Sequence, residues 1–420
     1  MKMRQMVMLA TGLCGALAVG VGYADAGNFH ILHSFTGGAT DGANPLGSLI
    51  QSGSTLYGMT SSGGSGGNGT IFSESTSGGN PTVLHSFTVI GTDGANPLGS
   101  LIQSGPTLYG MTPVGGSADN GTIFSESTGG GNPTVLHSFT GTPSDGATPY
   151  GSLIQSGSGL YGMTLIGGSG SNNGMIFSES TGGGNPTVLH SFTGAPSDGA
   201  HPYYGSLIQS GSTLYGMTDS GGSSGYGTIF SYTGGTVTVL HSFTGSSVDG
   251  ASPLGSLIQS GSTLYGMTSY GGSGSSSRGD GTIFSIDANG TGFRLLHSFT
   301  GGATDGAFPY GSLIQSGSTL YGMTSSGGSG SNNGTIFSID ANGTGFNVLH
   351  SFTGADGAHP YGSLIQSGST LYGMTESGGS SNYYGTIFSI TTPEPATLAL
   401  LALGGLGLLM RRRHKESRKL

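Results

Sequence analysis

One sequence unit occurs seven times in this chain of 420 residues. With few changes, each copy reads HSFTG, DGA-x-P, GSLIQSG, TLYGMT, GG and GTIFS in that order, and successive copies start 51 to 56 residues apart. A period of this length indicates a repeat architecture, in which each unit buries its apolar face only against its neighbours. The copies start at His33, His85, His137, His190, His241, His297 and His350.

Each unit contains four short apolar segments with the composition of β-strands, which are called a, b, c and d in chain order. In the first copy they are predicted at residues 47–52, 55–60, 69–75 and 82–87. The segments between them are rich in Gly, Ser and Asn, which suit hairpin turns. Four short antiparallel strands per unit predict the blade of a β-propeller.

The two ends of the repeat region predict a closed ring. A lone d-type segment at residues 29–35 precedes the first a segment, and the last copy ends with its c segment at residues 385–390. Pairing between these two segments would give every blade four strands and leave no large sheet edge unpaired. The fold predicted for residues 27–390 is therefore all-β, a seven-bladed propeller whose ring is closed by the N-terminal strand completing the last blade.

Two other architectures are compatible with a strand-rich repeat. A parallel β-helix usually has coils shorter than this period, and near-identical repeats rich in Ser, Gly, Asn and Gln could stack as an amyloid. The aspartates and prolines that recur in every copy argue against the amyloid.

The first 26 residues have the pattern of a secretory signal peptide. Lys2 and Arg4 precede an apolar stretch, and residues 24–26 read Ala-Asp-Ala, which suits a signal peptidase site. Cys14 is the only cysteine and lies within this segment, so the mature chain is predicted to have neither thiol nor disulfide.

Residues 391–420 have the pattern of a sorting tail. A Pro-Glu-Pro motif precedes an apolar run at 396–410 and a cluster of arginines. Fifteen helical residues extend about 22 Å, less than the roughly 30 Å hydrocarbon core, which favours a transient membrane anchor with its basic end in the cytoplasm. A permanent anchor is the alternative. The sorting residues are Pro393, Glu394, Pro395, Arg411, Arg412 and Arg413.

The repeat region is strongly acidic. Between the two terminal segments the only basic residues are Arg278 and Arg294, against sixteen Asp and Glu, a formal charge of −14. Such a surface repels the phosphate backbone, so nucleic acid is excluded as a partner.

A ring of aspartates is the first candidate binding site. One aspartate lies in each d-to-a connection, and these connections share one face of the predicted ring. Carboxylates could bind Ca²⁺ or glycan hydroxyls there, and the alternative is that each Asp-Gly-Ala is a turn. No cofactor other than Ca²⁺ is predicted. The aspartates are Asp41, Asp93, Asp145, Asp198, Asp249, Asp305 and Asp356, and Tyr203 and Tyr204 are added as candidates for stacking on sugar rings.

Other chemistry-bearing residues are predicted to be structural. The repeated histidine lies on the outermost strand and should pack between blades rather than bind a shared metal. Glu74, Glu126, Glu179 and Glu376 leave paired carboxylates for glycoside hydrolysis open, but the first three share one position near the end of segment c and are interpreted as a copied surface. The triplet Arg278-Gly279-Asp280 matches an adhesion motif, but three residues alone are weak evidence. No catalytic motif is present, so the protein is predicted not to be an enzyme.

The motifs HSFTG, DGA, LYGMT and GTIF resemble those of the GloVer-type tandem repeat proteins, and the tail resembles a PEP-CTERM sorting signal. This resemblance implies processing by an exosortase-type membrane protease and delivery to the cell surface or extracellular matrix of a Gram-negative bacterium that produces exopolysaccharide. The function predicted is that of an exported, non-catalytic module that binds exopolysaccharide or matrix glycans or has a structural role. A polysaccharide lyase or hydrolase in the propeller channel is the alternative.

Overall fold

A computed structural model describes residues 29–392 except 89–92, 142–144, 170–171, 330–331 and 381–382. These residues form seven four-stranded antiparallel sheets arranged as the blades of a β-propeller, which confirms the predicted fold. No helix in the described part of the chain is long and apolar enough to cross a membrane. The predicted signal peptide, Pro-Glu-Pro motif, apolar helix and basic end lie outside the described residues.

The blades are numbered 1 to 7 in chain order, and each contributes strands a, b, c and d. The a strands are Ile50–Ser52, Ile102–Ser104, Ile154–Ser156, Ile208–Ser210, Ile258–Ser260, Ile314–Ser316 and Ile365–Ser367. The b strands are Thr55–Thr60, Thr107–Thr112, Gly159–Thr164, Thr213–Thr218, Thr263–Thr268, Thr319–Thr324 and Thr370–Thr375. The c strands are Thr70–Ser75, Thr122–Ser127, Met175–Ser180, Thr228–Thr233, Thr282–Asp287, Thr335–Asp340 and Thr386–Thr391. The d strands of blades 1 to 7 are Thr82–Ser86, Thr134–Ser138, Thr187–Ser191, Thr236–Ser242, Arg294–Ser298, Asn347–Ser351 and Phe29–Ser34.

Short ladders also link the d-to-a connection with the b-to-c loop on one face of the ring. In blades 4, 5 and 6 these ladders are two-residue strands, and isolated bridges such as Ala43 with Ser62 occupy the same place in the other blades. The paired strands are Gly199–Ala200 with Ser220–Gly221, Gly250–Ala251 with Tyr270–Gly271, and Gly306–Ala307 with Ser326–Gly327.

The ring closes through the pairing predicted from the sequence. The first strand pairs antiparallel with the last, from Phe29 opposite Ile390 to Ser34 opposite Thr386. The backbone N–H of Phe35 then donates to the carbonyl of Gly385. This closure excludes a linear stack of units, both as a β-helix and as an amyloid.

Each apolar core lies between two neighbouring blades. Seven buried clusters occupy the seven junctions, and the same repeat positions recur in them. The cluster between blades 7 and 1 spans the two ends of the repeat region in the same way as the others. No unit therefore has a core of its own. The cluster between blades 1 and 2 contains Tyr57, Met59, Ile71 and Phe87 from blade 1 and Leu101, Leu108 and Phe124 from blade 2.

A closed ring of hydrogen bonds surrounds the propeller axis. The backbone N–H of Ser48 donates to the hydroxyl of Ser100 in the next blade, and the pattern continues through all seven blades with N···O distances of 2.7 to 2.9 Å. A Cβ atom on Gly47 would overlap the carbonyl oxygen of Gly99, so this approach requires glycine. Because these backbone groups bond to the next blade, the a strands begin at Ile50 and its equivalents, later than the predicted residue 47. The serines are Ser48, Ser100, Ser152, Ser206, Ser256, Ser312 and Ser363.

The residue before the repeated proline fixes the d-to-a connection. It has a left-handed φ of 51° to 55° in every blade, although it is a different residue type in several of them. Its N–H donates to a carbonyl at the end of the preceding blade's b-to-c loop, as from His201 to Asn173 at 2.7 Å. This hydrogen bond attaches each d-to-a connection to the preceding blade. These residues are Asn44, Asn96, Thr148, His201, Ser252, Phe308 and His359.

Each repeated histidine is hydrogen bonded to the aspartate of its own copy. The Nε2 atom lies 2.7 to 3.2 Å from the carboxylate in all seven copies. In most copies the same carboxylate also accepts a backbone N–H, as Asp249 does from Thr244 and Gly250. Burial raises the pKa of Asp249, but the hydrogen bonds from His241 and Gly250 outweigh it and hold the pKa below its ordinary value.

In six of the seven copies, the opposite side of the histidine contacts the next blade in one of two ways. Where the next blade has a Gly-Asn-Pro turn, Nδ1 donates to a glycine carbonyl, as from His33 to Gly79 at 3.2 Å. Where it has a phenylalanine there, the two rings stack, as for His241 and Phe293 with centroids 4.0 Å apart and an interplanar angle of 3°. The histidine thus links neighbouring blades, as its place on strand d predicted.

The interpretation of three glutamates as surface residues is wrong. Glu74, Glu126 and Glu179 are only 3–5% exposed, because they occupy the interblade position that isoleucine holds in blades 5 to 7. One carboxylate oxygen accepts the next backbone N–H, and the other has no partner among the described residues. Burial raises the pKa of Glu74 and Glu126. These blades also carry the Gly-Asn-Pro turn, so the glutamate and the turn vary together.

Asp249→Asn is expected to lower the free energy of unfolding at pH 7 by about 1–3 kcal/mol, because a buried charged hydrogen-bond acceptor is lost. The wild-type carboxylate contributes stability above the unfolded-state pKa of about 3.9 and loses it as the pH falls through the lower folded-state pKa. The difference between the two proteins should therefore shrink below about pH 4. Denaturant unfolding between pH 3 and 8 measures this difference in the free energy of unfolding.

Asp119→Asn is the matched control. Asp119 accepts the N–H of Gly115, and Asn172 and Asn332 accept the corresponding N–H in their own blades. The control removes the same charge without removing an acceptor that the fold uses. An equal loss of stability in both variants, or a difference independent of pH, would contradict the role given to the hydrogen-bonded carboxylate of Asp249.

Candidate functional site

The repeat position just before the axial glycine surrounds one mouth of the central axis. It is leucine in three blades and tyrosine in four, so the mouth is asymmetric although the blades are nearly identical. Tyr203 has no counterpart in the other copies and adds a fifth tyrosine. The residues at this position are Leu46, Leu98, Tyr150, Tyr204, Leu254, Tyr310 and Tyr361.

The tyrosines contact one another across several blades. The ring centroids of Tyr150 and Tyr203 are 5.0 Å apart, and those of Tyr203 and Tyr204 are 4.5 Å apart with the rings nearly perpendicular. The ring centroid of Tyr310 lies 4.6 Å from that of Tyr361 and 6.5 Å from that of Tyr204. These rings are partly buried, so each supports its neighbours and keeps some surface open to the mouth.

Two carboxyl groups face the same mouth. Asp219 and Glu376 each follow directly after strand b, a position that is Ser, Pro or Leu in the other blades. Burial raises the pKa of both groups, and for Asp219 a hydrogen bond from Ser252 and the nearby His201 partly offset the effect. The charge of Glu376 in turn helps to raise the pKa of the Tyr361 hydroxyl, after burial.

The mouth contains an open cavity of about 370 Å³. Its walls include four of the five tyrosines, together with Tyr270, and both carboxyl groups. Further along the axis, the ring of glycines and serines leaves a void of about 70 Å³, which is room for about two water molecules. The cavity is therefore a pocket that narrows to a constriction too small for a sugar ring.

The structure brings together only part of the predicted site. Tyr203 and Tyr204 line the cavity, whereas none of the seven aspartates does, because each is engaged by the histidine of its own copy. Within the described residues no group of three or more His, Cys, Asp or Glu is placed to hold a metal ion, and Ca²⁺ binding stays a prediction. The predicted sorting residues lie outside the described part of the chain.

The adhesion triplet does not present its aspartate. Asp280 is only 3% exposed, and its carboxylate accepts the backbone N–H of Ser275 at 2.6 Å. Arg278 is exposed on the same loop. The triplet therefore cannot offer both charged groups to one partner.

Tyr310, Tyr361 and Asp219 were not singled out from the sequence, and Glu376 was named only among the carboxylates that leave glycoside hydrolysis open. The signal was available, because each stands at a repeat position where the residue type changes between copies. The sequence alone does not show that these positions converge on the axis, so it does not identify them as one site.

Solved structures with a similar fold have little sequence in common with this chain. A puromycin-hydrolysing peptidase from Mycobacterium tuberculosis matches with a TM-score of 0.52 and 13% identity over 87% of this chain and 55% of its own. A putative 6-phosphogluconolactonase from Bacteroides uniformis matches with a TM-score of 0.49 and 16% identity over 78% of this chain and 88% of its own. At this identity the peptidase match supports the fold alone.

No curated protein sequence matches the chain. The model of the Gloeobacter/Verrucomicrobia repeat family matches residues 23–230, 160–278 and 207–406, which together span the whole propeller. This confirms the resemblance to GloVer-type repeats. The chain belongs to the Gloeobacter/Verrucomicrobia repeat family.

Proposed function

We propose that this protein is a non-catalytic module that binds the end of a carbohydrate chain in the tyrosine-lined mouth of its central axis. The observation that carries the proposal is the convergence of tyrosines from several blades on one cavity that also holds two carboxyl groups. The repeat positions that hold the ring together are nearly constant, whereas the positions at this mouth differ from blade to blade.

The chemistry of the mouth suits a sugar. Tyrosine faces pack against the apolar faces of pyranose rings, and their hydroxyls provide hydrogen bonds at the edges. The carboxyl groups of Asp219 and Glu376 add partners for sugar hydroxyls while repelling anions. A neutral sugar is therefore favoured at the axis.

The shape of the mouth favours a chain end over the middle of a polymer. Beyond the cavity the axis narrows to the void of about 70 Å³, so a polysaccharide cannot thread through the ring. A terminal sugar can enter the cavity while the rest of the chain leaves across the same face.

Tyr310→Leu is expected to weaken binding of a neutral oligosaccharide about tenfold, which corresponds to about 1.4 kcal/mol. Leucine occupies the same repeat position in blades 1, 2 and 5, so the substitution should leave the fold intact. Isothermal titration calorimetry with xylohexaose and cellohexaose measures the affinity of the wild type and of Tyr310→Leu.

Tyr383→Ser is the control for the loss of a tyrosine elsewhere. Tyr383 is 72% exposed and does not line the cavity, so affinity should not change. If neither oligosaccharide bound, or if both variants bound as the wild type does, the axial mouth would not be the carbohydrate site.

A polysaccharide-active enzyme is the second candidate, and the specific observation in its favour is that Asp219 and Glu376 line one cavity. Paired carboxyls with different environments are the usual acid and base of glycoside hydrolysis. An enzyme would release new reducing ends from xylan or cellulose oligomers, and Glu376→Gln would abolish the release. Under the proposal of a non-catalytic module, wild type and Glu376→Gln both give no release above buffer.

The proposal also includes the place where the module acts. It is supported by the signal-like residues 1–26 and the sorting-like tail from Pro393 to Arg413, and it assigns the protein to the cell surface or extracellular matrix after processing by an exosortase-type protease. Intact mass of the protein recovered from the surface of the producing cells should show loss of both terminal segments. Recovery of a full-length chain in the cytoplasm would contradict this assignment.

A further inference from the structure

We propose that a second cavity, between blades 4 and 5 on the same face, is a subsite for an acidic sugar, in which Arg278 binds the carboxylate. This inference rests on the proposed carbohydrate binding at the axial mouth and specifies the ligand. The ligand is a glycan with a neutral terminal sugar at the axis and a uronic acid, or a sugar with a carboxylate substituent, next to it.

The second cavity adjoins the axial mouth. It has a volume of about 440 Å³ and is lined by Tyr226, Ser252, Tyr270 and Arg278. Tyr270 also lines the mouth, where it helps, after burial, to raise the pKa of the Tyr310 hydroxyl. Ser252 of the second cavity in turn lowers the pKa of Asp219 of the mouth, partly offsetting the effect of burial. One ligand can therefore occupy both cavities across Tyr270.

Arg278 is held in place but keeps its hydrogen-bonding capacity. Its guanidinium lies 5.8 Å from the centroid of the Tyr270 ring, a cation–π contact that orients the side chain. Among the described residues it forms no ion pair, and the nearest acidic residue of its own loop, Asp280, turns inward to Ser275. A guanidinium with free donors beside two tyrosines is suited to bind a carboxylate in two-point fashion.

The surrounding charge limits which acidic glycans can bind. The repeat region has a formal charge of −14, and Arg278 and Arg294 are its only basic residues. A polymer with a carboxylate on every sugar would be repelled by this surface and by the carboxyl groups at the mouth. A glycan with one acidic sugar among neutral ones avoids that repulsion and still reaches Arg278.

Titration calorimetry of the full chain with three probes of similar length compares a neutral glycan, a glycan with one acidic sugar and a glycan with a carboxylate on every sugar. They are xylohexaose, a xylo-oligosaccharide with a single methylglucuronic acid, and hexagalacturonate. We expect the singly acidic probe to bind about tenfold more tightly than xylohexaose, and hexagalacturonate to bind most weakly. Arg278→Gln should remove the tenfold preference and leave the affinity for xylohexaose unchanged.

Arg294→Gln is the matched control, since it removes the same charge from an exposed residue on strand d of blade 5, outside both cavities. It should keep the preference for the acidic probe. An equal effect of the two arginine variants would mean that only net charge matters and would overturn the subsite. The absence of any preference in the wild type would overturn it as well.

Glucuronate alone distinguishes failure of the subsite from failure of the proposed function. Its binding is followed through the side-chain Nε–H signal of Arg278, identified by its loss in Arg278→Gln, with glucose as the uncharged comparison. A shift with glucuronate and none with glucose, combined with no effect of Tyr310→Leu on xylohexaose, would contradict the axial site but retain the anion subsite. No shift with glucuronate, combined with tyrosine-dependent binding of xylohexaose, would overturn the subsite alone.

Discussion

Burial of apolar side chains between neighbouring blades is the interaction on which this structure depends. Tyr57, Met59 and Ile71 of one blade need Leu108 and Phe124 of the next to be shielded from water, and the same holds at every junction. A single unit would leave most of these side chains exposed and could not offset the entropy of ordering its backbone. The pairing of strand Phe29–Ser34 with strand Thr386–Thr391 completes blade 7, so the junction between blades 7 and 1 buries the same repeat positions as the other six junctions.

The sequence predicted the ring well because one unit with a recognisable strand pattern is repeated seven times. The four segments per unit, the lone first strand and the missing last strand gave the blade, the copy number and the closure. The segments b, c and d were placed within one or two residues of their observed bounds. Segment a was predicted too long, because the hydrogen bonds of its first residues go around the axis from Ser48 to Ser100, and a pattern within one unit does not show a bond between units.

The candidate site was predicted less well for a physical reason. Tyr203 and Tyr204 were singled out because two adjacent tyrosines break the repeat. Tyr361 and Glu376 lie fifteen positions apart in one copy and meet residues of other blades only in three dimensions. The burial of Glu74 was also missed. Its position alternates with isoleucine in other blades, and a carboxylate at such a position looks exposed unless the facing blade is known.

Constant and variable repeat positions have different roles in this protein. The histidine, aspartate, glycine and serine that recur in every copy hold neighbouring blades together, so they are engaged within the ring. Several residues that differ between copies, among them Asp219, Tyr310 and Arg278, lie on one face of the ring. A ring of identical blades would have the same side chain at every equivalent position around the axis. An asymmetric ligand can be recognised selectively only if the side chains at these positions differ between blades.

The ring of serine hydrogen bonds has a consequence for how the gene can vary. Tandem copies of similar sequence favour unequal recombination, which adds or removes whole units. In an open solenoid such an event lengthens or shortens the stack and leaves each surviving junction unchanged. Here the tight glycine approach and the hydrogen bond from Ser363 back to Ser48 set the angle between neighbouring blades, so a ring of six or eight blades would need a different angle at every junction. The geometry at the axis therefore disfavours the gain or loss of a single unit, which an open solenoid would tolerate.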